Sequence, residues 1–150
     1  MRKILATAAA LGLAGLGILV PAGSAQASAA CDTAWNNATS GYFYAYANDN
    51  CSGVLGKDDG SDANWVDRAG AFQGNDNDDA ESILHKGTSG LAVKVYQHIN
   101  NGGGHTCIKK SEYYMSSLAG HTYTNGASAD LSISAHKWVA NSECDKFLDS

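Results

Sequence analysis

The sequence predicts an all-β fold, two sheets packed face to face, and three observations carry that prediction. Short stretches with a two-residue apolar period recur, turn-forming clusters separate them, and the whole pattern comes twice. Tyr42-Phe43-Tyr44-Ala45-Tyr46 sets large aromatics at alternate positions. Leu91-Ala92-Val93-Lys94-Val95-Tyr96 and Leu131-Ser132-Ile133-Ser134-Ala135 keep the same period, which turns one face of a strand toward a core. Between them lie Asn48-Asp49-Asn50, Lys57-Asp58-Asp59-Gly60-Ser61-Asp62 and Asn100-Asn101-Gly102-Gly103-Gly104, the chemistry of turns and loops. Glu112 to Ala119 alone reads as a helical turn or two. Many short strands joined by such turns describe a sandwich or barrel.

The repeat is the most informative feature. Tyr46-Ala47-Asn48-Asp49-Asn50-Cys51-Ser52-Gly53 aligns with Tyr96-Gln97-His98-Ile99-Asn100-Asn101-Gly102-Gly103 at an offset of 50. Asp78 to Lys86 aligns with Ala129 to Lys137 at an offset of 51, so one inserted residue reconciles the two. Each half then opens on an aromatic strand running into a tight hairpin and closes on an Asp-bearing turn before another strand. Packed together, the halves bury apolar residues that neither covers alone.

Ahead of these halves, Met1-Arg2-Lys3 is basic, Ile4 to Val20 is an uncharged apolar run, and Pro21 to Ala27 ends in the small-x-small pattern Ala25-Gln26-Ala27. That is a secretory signal over 1–27, cleaved after Ala27. Its rivals are a retained membrane anchor, because the run approaches the roughly 18 apolar residues of a spanning helix, and a lipoprotein lipidated at Cys31. Ala and Gly dilute the first, and Ser28 stands where the second needs a bulky aliphatic residue. The remainder reads as a polar arm over 28–40 and one domain over 41–150: motif one at about 41–87, motif two at about 91–139, and a tail to Ser150.

Cys31, Cys51, Cys107 and Cys144 all follow the signal, and an even count in an exported chain reads as two disulfides. Three pairings exist; Cys31 with Cys51 and Cys107 with Cys144 is favoured because each stays within one half. No C-x-x-C spacing supports zinc. Arg2 and Lys3 leave with the signal, so eight basic residues face fifteen acidic ones, about −7 in all. That charge repels phosphate backbones, and no basic stripe offsets it, which argues against a nucleic-acid partner. A monomer in the extracellular space, free of the membrane after cleavage, is expected.

An aromatic residue followed by a polar stretch and a glycine, with a later Asp/Asn-rich turn before a serine-bearing strand, resembles the βγ-crystallin Greek-key motif, twice over nearly the whole mature chain. The resemblance implies a two-sheet Greek-key βγ-crystallin-like sandwich of two repeated motifs. The signal, the size, the cysteines and the opening Gly41-Tyr42-Phe43-Tyr44-Ala45-Tyr46 look most like the secreted actinobacterial peptidase inhibitors of the metalloproteinase-inhibitor type. The second aromatic of the hairpin is replaced by Cys51 in one half and Asn101 in the other.

Two functions follow from the resemblance. As a peptidase inhibitor, possessing a secreted peptidase as partner, the chain would present a rigid exposed loop, since preorganisation lowers the entropy cost of binding. The resemblance puts the reactive bond between Cys107 and Ile108 in Thr106-Cys107-Ile108-Lys109-Lys110, with the lysines on the exposed flank; the bland alternative is an inward strand residue beside an ordinary disulfide cysteine. As a calcium-binding structural or antimicrobial domain, it would use the acidic turn Asn75 to Ser82 with the facing turn of the other half. Asp78, Asp79 and Ser82 match the family's ligand pattern in motif one, and Asp130 and Ser134 remain of it in motif two, with a solvated acidic turn as the bland alternative. No other cofactor is required.

An enzyme is not expected. There is no H-E-x-x-H and no G-x-S-x-G, and oxidised cysteines are not nucleophiles. His85 and His136, each followed by lysine, take matching repeat positions and suggest a shared strand-end role; His98, His105 and His121 fall in loops. Trp35, Trp65 and Trp138 would make a sugar platform if exposed, though tryptophans more often belong to the core or its rim.

Overall fold

The computed structural model describes residues 28–149; the expected signal peptide and Ser150 lie outside them. Two antiparallel sheets form the sandwich. The first orders β2 (Ser52–Asp58), β1 (Phe43–Asn48), β3 (Ser82–His85) and β6 (Tyr114–Met115); the second orders β5 (Gly102–Ile108), β4 (Ala92–His98) and β7 (Ala135–Val139). The core between them draws on both: Phe43, Ala45, Ile83, Val93, Val95, Ile108, Met115 and Ile133 are all buried, together with Trp65 and Phe72 from the connection after β2.

The halves repeat in space. Phe43 pairs with Asp58 on one side and His85 on the other, while Val93 pairs with Ile108 and Trp138. The first two strands of each half are thus 50 residues apart, but the third is 53 apart. Both hairpins turn through left-handed residues, Asn50 and Cys51 in one and Asn100 and Asn101 in the other, as tight two-residue turns require. Each half also lends an extended segment to the other's sheet: Met115 pairs with Ile83 of the first half, and Asp62 bridges to His136 of the second.

This pairing corrects the register of the repeat. Three residues are inserted in the second half, not one, and they fall where the chain leaves Ile108 for Met115; the first half spans Asp58 to Asp62 more directly. His85 therefore corresponds to Trp138, and His136 to Ile83. The insertion is also where a helical turn was expected over Glu112 to Ala119. A single 3₁₀ turn occupies Lys110–Glu112 instead, and Tyr114 enters β6, because the segment has to reach β3 as a strand.

Three other expectations change. Tyr44 and Tyr46 do not face the inter-sheet core; Phe43 and Ala45 do, and the tyrosines form a second apolar layer with Leu84 and Tyr114 on the outer face of the first sheet. The cover for that layer is the expected polar arm, which is the helix α1 (Ala29–Asn37). Ser28 caps it, its side chain accepting from Cys31 N at 3.4 Å. A nine-residue helix is marginal alone, and tertiary clamps hold this one: the Cys31–Cys51 disulfide, Tyr114 Oη donating to Asp32 Oδ1 at 2.6 Å, and Thr39 N donating to Tyr44 Oη at 2.9 Å. The last strand begins at Ala135, while Leu131 sits exposed on the preceding turn at φ 52°.

The second disulfide joins Cys107 to Cys144, so each bond lies within one half. Beside it the C-terminal segment covers the outer edge of β5: Cys107 N donates to Lys146 O at 3.0 Å and Leu148 N donates to Cys107 O at 2.8 Å. Such cover removes an edge on which other strands pair.

Candidate functional site

The turns before β3 and β7 meet across the pseudo-twofold relation. Asp78 N donates to Ile133 O and Leu131 N donates to Ala80 O, both at 3.0 Å, and Asp78 and Leu131 are both left-handed, at φ 58° and 52°. Two clusters result, one beside each hairpin.

Beside the second hairpin, Ser134 Oγ lies 3.0 Å from both Asp78 Oδ1 and Gln97 O, and its single proton serves one of them at a time. Asn77 Nδ2 donates to Asp78 Oδ2 at 2.7 Å, while Asn77 Oδ1 is buried without a partner. One carboxylate, engaged by its neighbours at both oxygens, makes up the charge of this cluster.

Beside the first hairpin the corresponding positions are more acidic. Asp49 N donates to Glu81 Oε2 at 3.2 Å, tying hairpin to turn. Asp130, from the opposite half, has its carboxyl raised above the usual range, first by burial and then by the negative charges of Glu81 and Asp49. Three carboxylates from the two halves thus lie near enough for their charges to repel. Among the described residues no three acidic or imidazole side chains are already drawn within metal-binding distance; carboxylate oxygens from two turns and a hairpin are the hard donors that calcium, magnesium and manganese take.

The sequence-predicted ligands divide between these places. Asp78 and Ser134 meet, as a site shared by the halves requires. Asp130 belongs to the other cluster. Asp79 has no hydrogen bond or ion pair among the described residues. Ser82 is spent on folding: its Oγ donates to Asn48 O at 2.6 Å and accepts from Cys51 N at 3.1 Å, which locks the first hairpin. Glu81 and Asp49 were missed because their proximity to Asp130 depends on the 53-residue register.

The reactive-loop assignment is overturned. Cys107 and Ile108 are both 0 % exposed within β5, Ile108 packs in the inter-sheet core, and both backbone hydrogen-bonding groups of Cys107 are taken by the C-terminal segment. A peptidase cannot reach that bond. Lys109 folds its Nζ over the Phe147 ring, 4.1 Å from the centroid, and only Lys110 is exposed as expected.

The two matched histidines have different surroundings. His85 Nε2–H donates to Leu91 O at 2.9 Å and Nδ1 accepts from Gly87 N at 3.1 Å; burial keeps it neutral by lowering its pKa. His136 is fully buried, and its Nδ1 accepts from Trp65 Nε1 at 3.1 Å. Its Nε2–H lies 3.3 Å from Asp58 Oδ2, poorly aligned. Even so, this oblique donation is the largest influence on Asp58 and holds its carboxyl below the usual range. Carboxylate and imidazole are the ingredients of acid–base catalysis, but His136 is fully buried, with one ring nitrogen on Trp65 and the other toward Asp58, so its imidazole is closed to solvent. Of the tryptophans, Trp65 is buried, while Trp35 and Trp138 are partly exposed.

No protein-family model matches the sequence, and no curated protein is similar enough to be matched. Among solved structures, a domain from work on the evolution of the eye-lens βγ-crystallin fold is 16 % identical over 69 % of this chain and 90 % of its own, with a TM-score of 0.52. A βγ-crystallin from an archaeon is 21 % identical over 67 % of this chain and 100 % of its own, with a TM-score of 0.48. Together with the two sheets and their exchanged segments, the first of these fixes the class: a two-motif β-sandwich. Its fold is that of the βγ-crystallin domain. At such identities the likeness extends to the fold alone.

Proposed function

We propose that the protein is an extracellular structural domain whose two halves are braced by calcium at Asp49, Glu81 and Asp130. The supporting observation is the raised Asp130 carboxyl, pressed by two other carboxylates where the halves meet. A divalent cation would convert that repulsion into attraction across the joint, drawing in carboxylate oxygens and completing its six to eight ligands with carbonyls and water. An exported setting, rich in calcium, agrees with the two disulfides; no helix of the described residues is long and apolar enough to cross a membrane.

Calcium binding only the folded state stabilises it by about 2.7 kcal/mol at a hundredfold excess over Kd. Millimolar calcium is therefore expected to raise Tm by several degrees, with Asp130→Asn removing the rise; an unchanged Tm in wild type overturns the reading. Peptidase inhibition has lost the loop on which it rested. Titrating the protein against a thermolysin-like metallopeptidase and a subtilisin-like serine peptidase tests whether another segment inhibits, and tight inhibition of either would displace the structural reading.

A further inference from the structure

Besides the C-terminal segment, the capped helix α1 before the first motif and the residues inserted between Ile108 and Met115 lie outside the repeated scaffold. They come together. Trp35 of α1 meets Tyr113 of the insertion edge to face, with centroids 5.1 Å apart and ring planes at 74°. With the loop following His85, they enclose a cleft of about 260 Å³.

The cleft wall is basic. Lys86 and Lys110 line it and no carboxylate does, on a chain whose net charge is −5. None of the three ion pairs between described residues involves either lysine. Lys86 Nζ rests 3.1 Å from the Trp35 ring centroid, and Lys110 Nζ reaches only the carbonyl of Thr88, at 3.4 Å. The Trp35 Nε1–H is buried without a hydrogen-bond partner. The hydroxyls of Ser40 and Thr88 complete the polar side.

Tyr113 is strained. It adopts φ 61° and ψ −52°, a region a bulky residue rarely occupies, and the residue is 52 % exposed. The strain is maintained because His85 N donates to Tyr113 O at 2.7 Å while Tyr114 enters β6. A costly backbone thus holds an exposed ring at the mouth of a basic, hydroxyl-lined cleft. Disulfide Cys31–Cys51 and the Tyr114–Asp32 bond fix the opposite wall, so the site is preorganised.

We infer that this cleft binds an acidic sugar, a uronate unit at the end or edge of an extracellular glycan. The carboxylate pairs with Lys86 and Lys110, the apolar C–H face of the pyranose lies on the exposed Tyr113 ring, and the sugar hydroxyls bond with Ser40 and Thr88. The small volume suits one ring better than a drug-sized ligand, whose pockets start at about 300 Å³. A bare anion would leave the Tyr113 ring unused, and a neutral sugar would leave both ammonium groups without a counter-charge.

The test is a titration of the intact protein with trigalacturonate, galactotriose and inorganic phosphate. It is followed by tryptophan fluorescence and the Trp35 indole N–H resonance, in the presence of a chelator so that uronate-bound calcium plays no part. Trigalacturonate is expected to saturate, and Lys86→Gln combined with Lys110→Gln to weaken it at least tenfold while leaving Tm unchanged. Galactotriose binding as tightly, phosphate moving the resonance as far, no saturable change at millimolar trigalacturonate, or undiminished affinity in the double variant would each overturn the assignment.

Discussion

The same backbone site is polar in one half and apolar in the other. Where the first half ends its second strand at Asp58 and docks Asp62 against His136, the second half has Ile108 and docks Met115 against Ile83. Ile108, Met115 and Ile83 disappear into the core, whereas Asp58, Asp62 and His136 need partners and find them. Asp62 accepts from Asn64 N at 3.0 Å and from Phe72 N at 3.3 Å, and His136 is held between Trp65 and Asp58. The geometry of the fold therefore does not demand the polar set. It tolerates that set because the loop from Asp62 to Phe72 folds over it, bringing Trp65 and Phe72 into a stacked pair 4.0 Å apart. The second half carries an equally long connection after Met115, and it sends Leu118 and Tyr123 into the core beside an apolar trio that needs no polar partners.

The largest expected effect breaks the polar side. His136→Ala leaves Trp65 Nε1 and the Asp58 carboxylate facing an empty space in the core and should cost about 3–5 kcal/mol, measured by urea unfolding. Asp58→Leu with His136→Leu should cost less than His136→Ala alone, because no charge is stranded and the twin site shows that aliphatic residues pack there. A double variant worse than the single would mean that the loop over Asp62, not the local chemistry, decides what this half accepts.

The disulfides distinguish the halves more gently. Chain entropy assigns about 3.8 kcal/mol to closing the 37-residue span from Cys107 to Cys144 and about 3.3 kcal/mol to the 20-residue span from Cys31 to Cys51. Double Cys→Ala variants should follow that order in Tm. If the Cys31–Cys51 variant proves the weaker, docking of α1 on Tyr44 and Tyr46 contributes more than loop closure does.

Which of these features were visible in the sequence depends on how local their causes are. The hairpins were, since Asn50-Cys51 and Asn100-Asn101 adopt left-handed turns for reasons within a few residues, and the repeat of Tyr46 and Tyr96 followed. The third strands were not in register, because the matching His85-Lys86 and His136-Lys137 pairs mimic an alignment that strand pairing rejects. From that error came the grouping of Asp130 with Ser134; a 53-residue offset puts Asp130 opposite Asn77 and Ser134 opposite Glu81. Alternation also misled at Tyr42 to Tyr46. It separates two faces but does not say which is inner, and here a helix that only its tertiary clamps stabilise covers the tyrosine face. Ile108, which the resemblance places in an exposed loop, is the inward strand residue of the bland alternative, paired with Val93, and extending the second hairpin that far in the sequence decides between the two.

The smallest effect is the pH dependence, in which two carboxylates act with opposite signs. Asp58 has a folded pKa below its unfolded value because His136 donates to it. Its stabilisation is present above the unfolded pKa of about 3.9 and is lost as pH falls through the folded value. Asp130 has a raised folded pKa, so it favours the folded state at acid pH and that advantage is lost as pH rises through the raised value. Unfolding measured between mildly acidic pH and the foot of the acid transition should therefore lose its dependence at the high end in Asp130→Asn and at the low end in Asp58→Asn. Calcium should reverse the Asp130 contribution, because it binds the ionised carboxylates of Asp130, Glu81 and Asp49 and protons displace it, so stability in calcium falls as pH drops through their range, while the Asp58 contribution at the other end of the β1–β2 pair stays as it was. An upper limb that calcium leaves unchanged in wild type, or changes as much in Asp130→Asn, would overturn the assignment to the first hairpin.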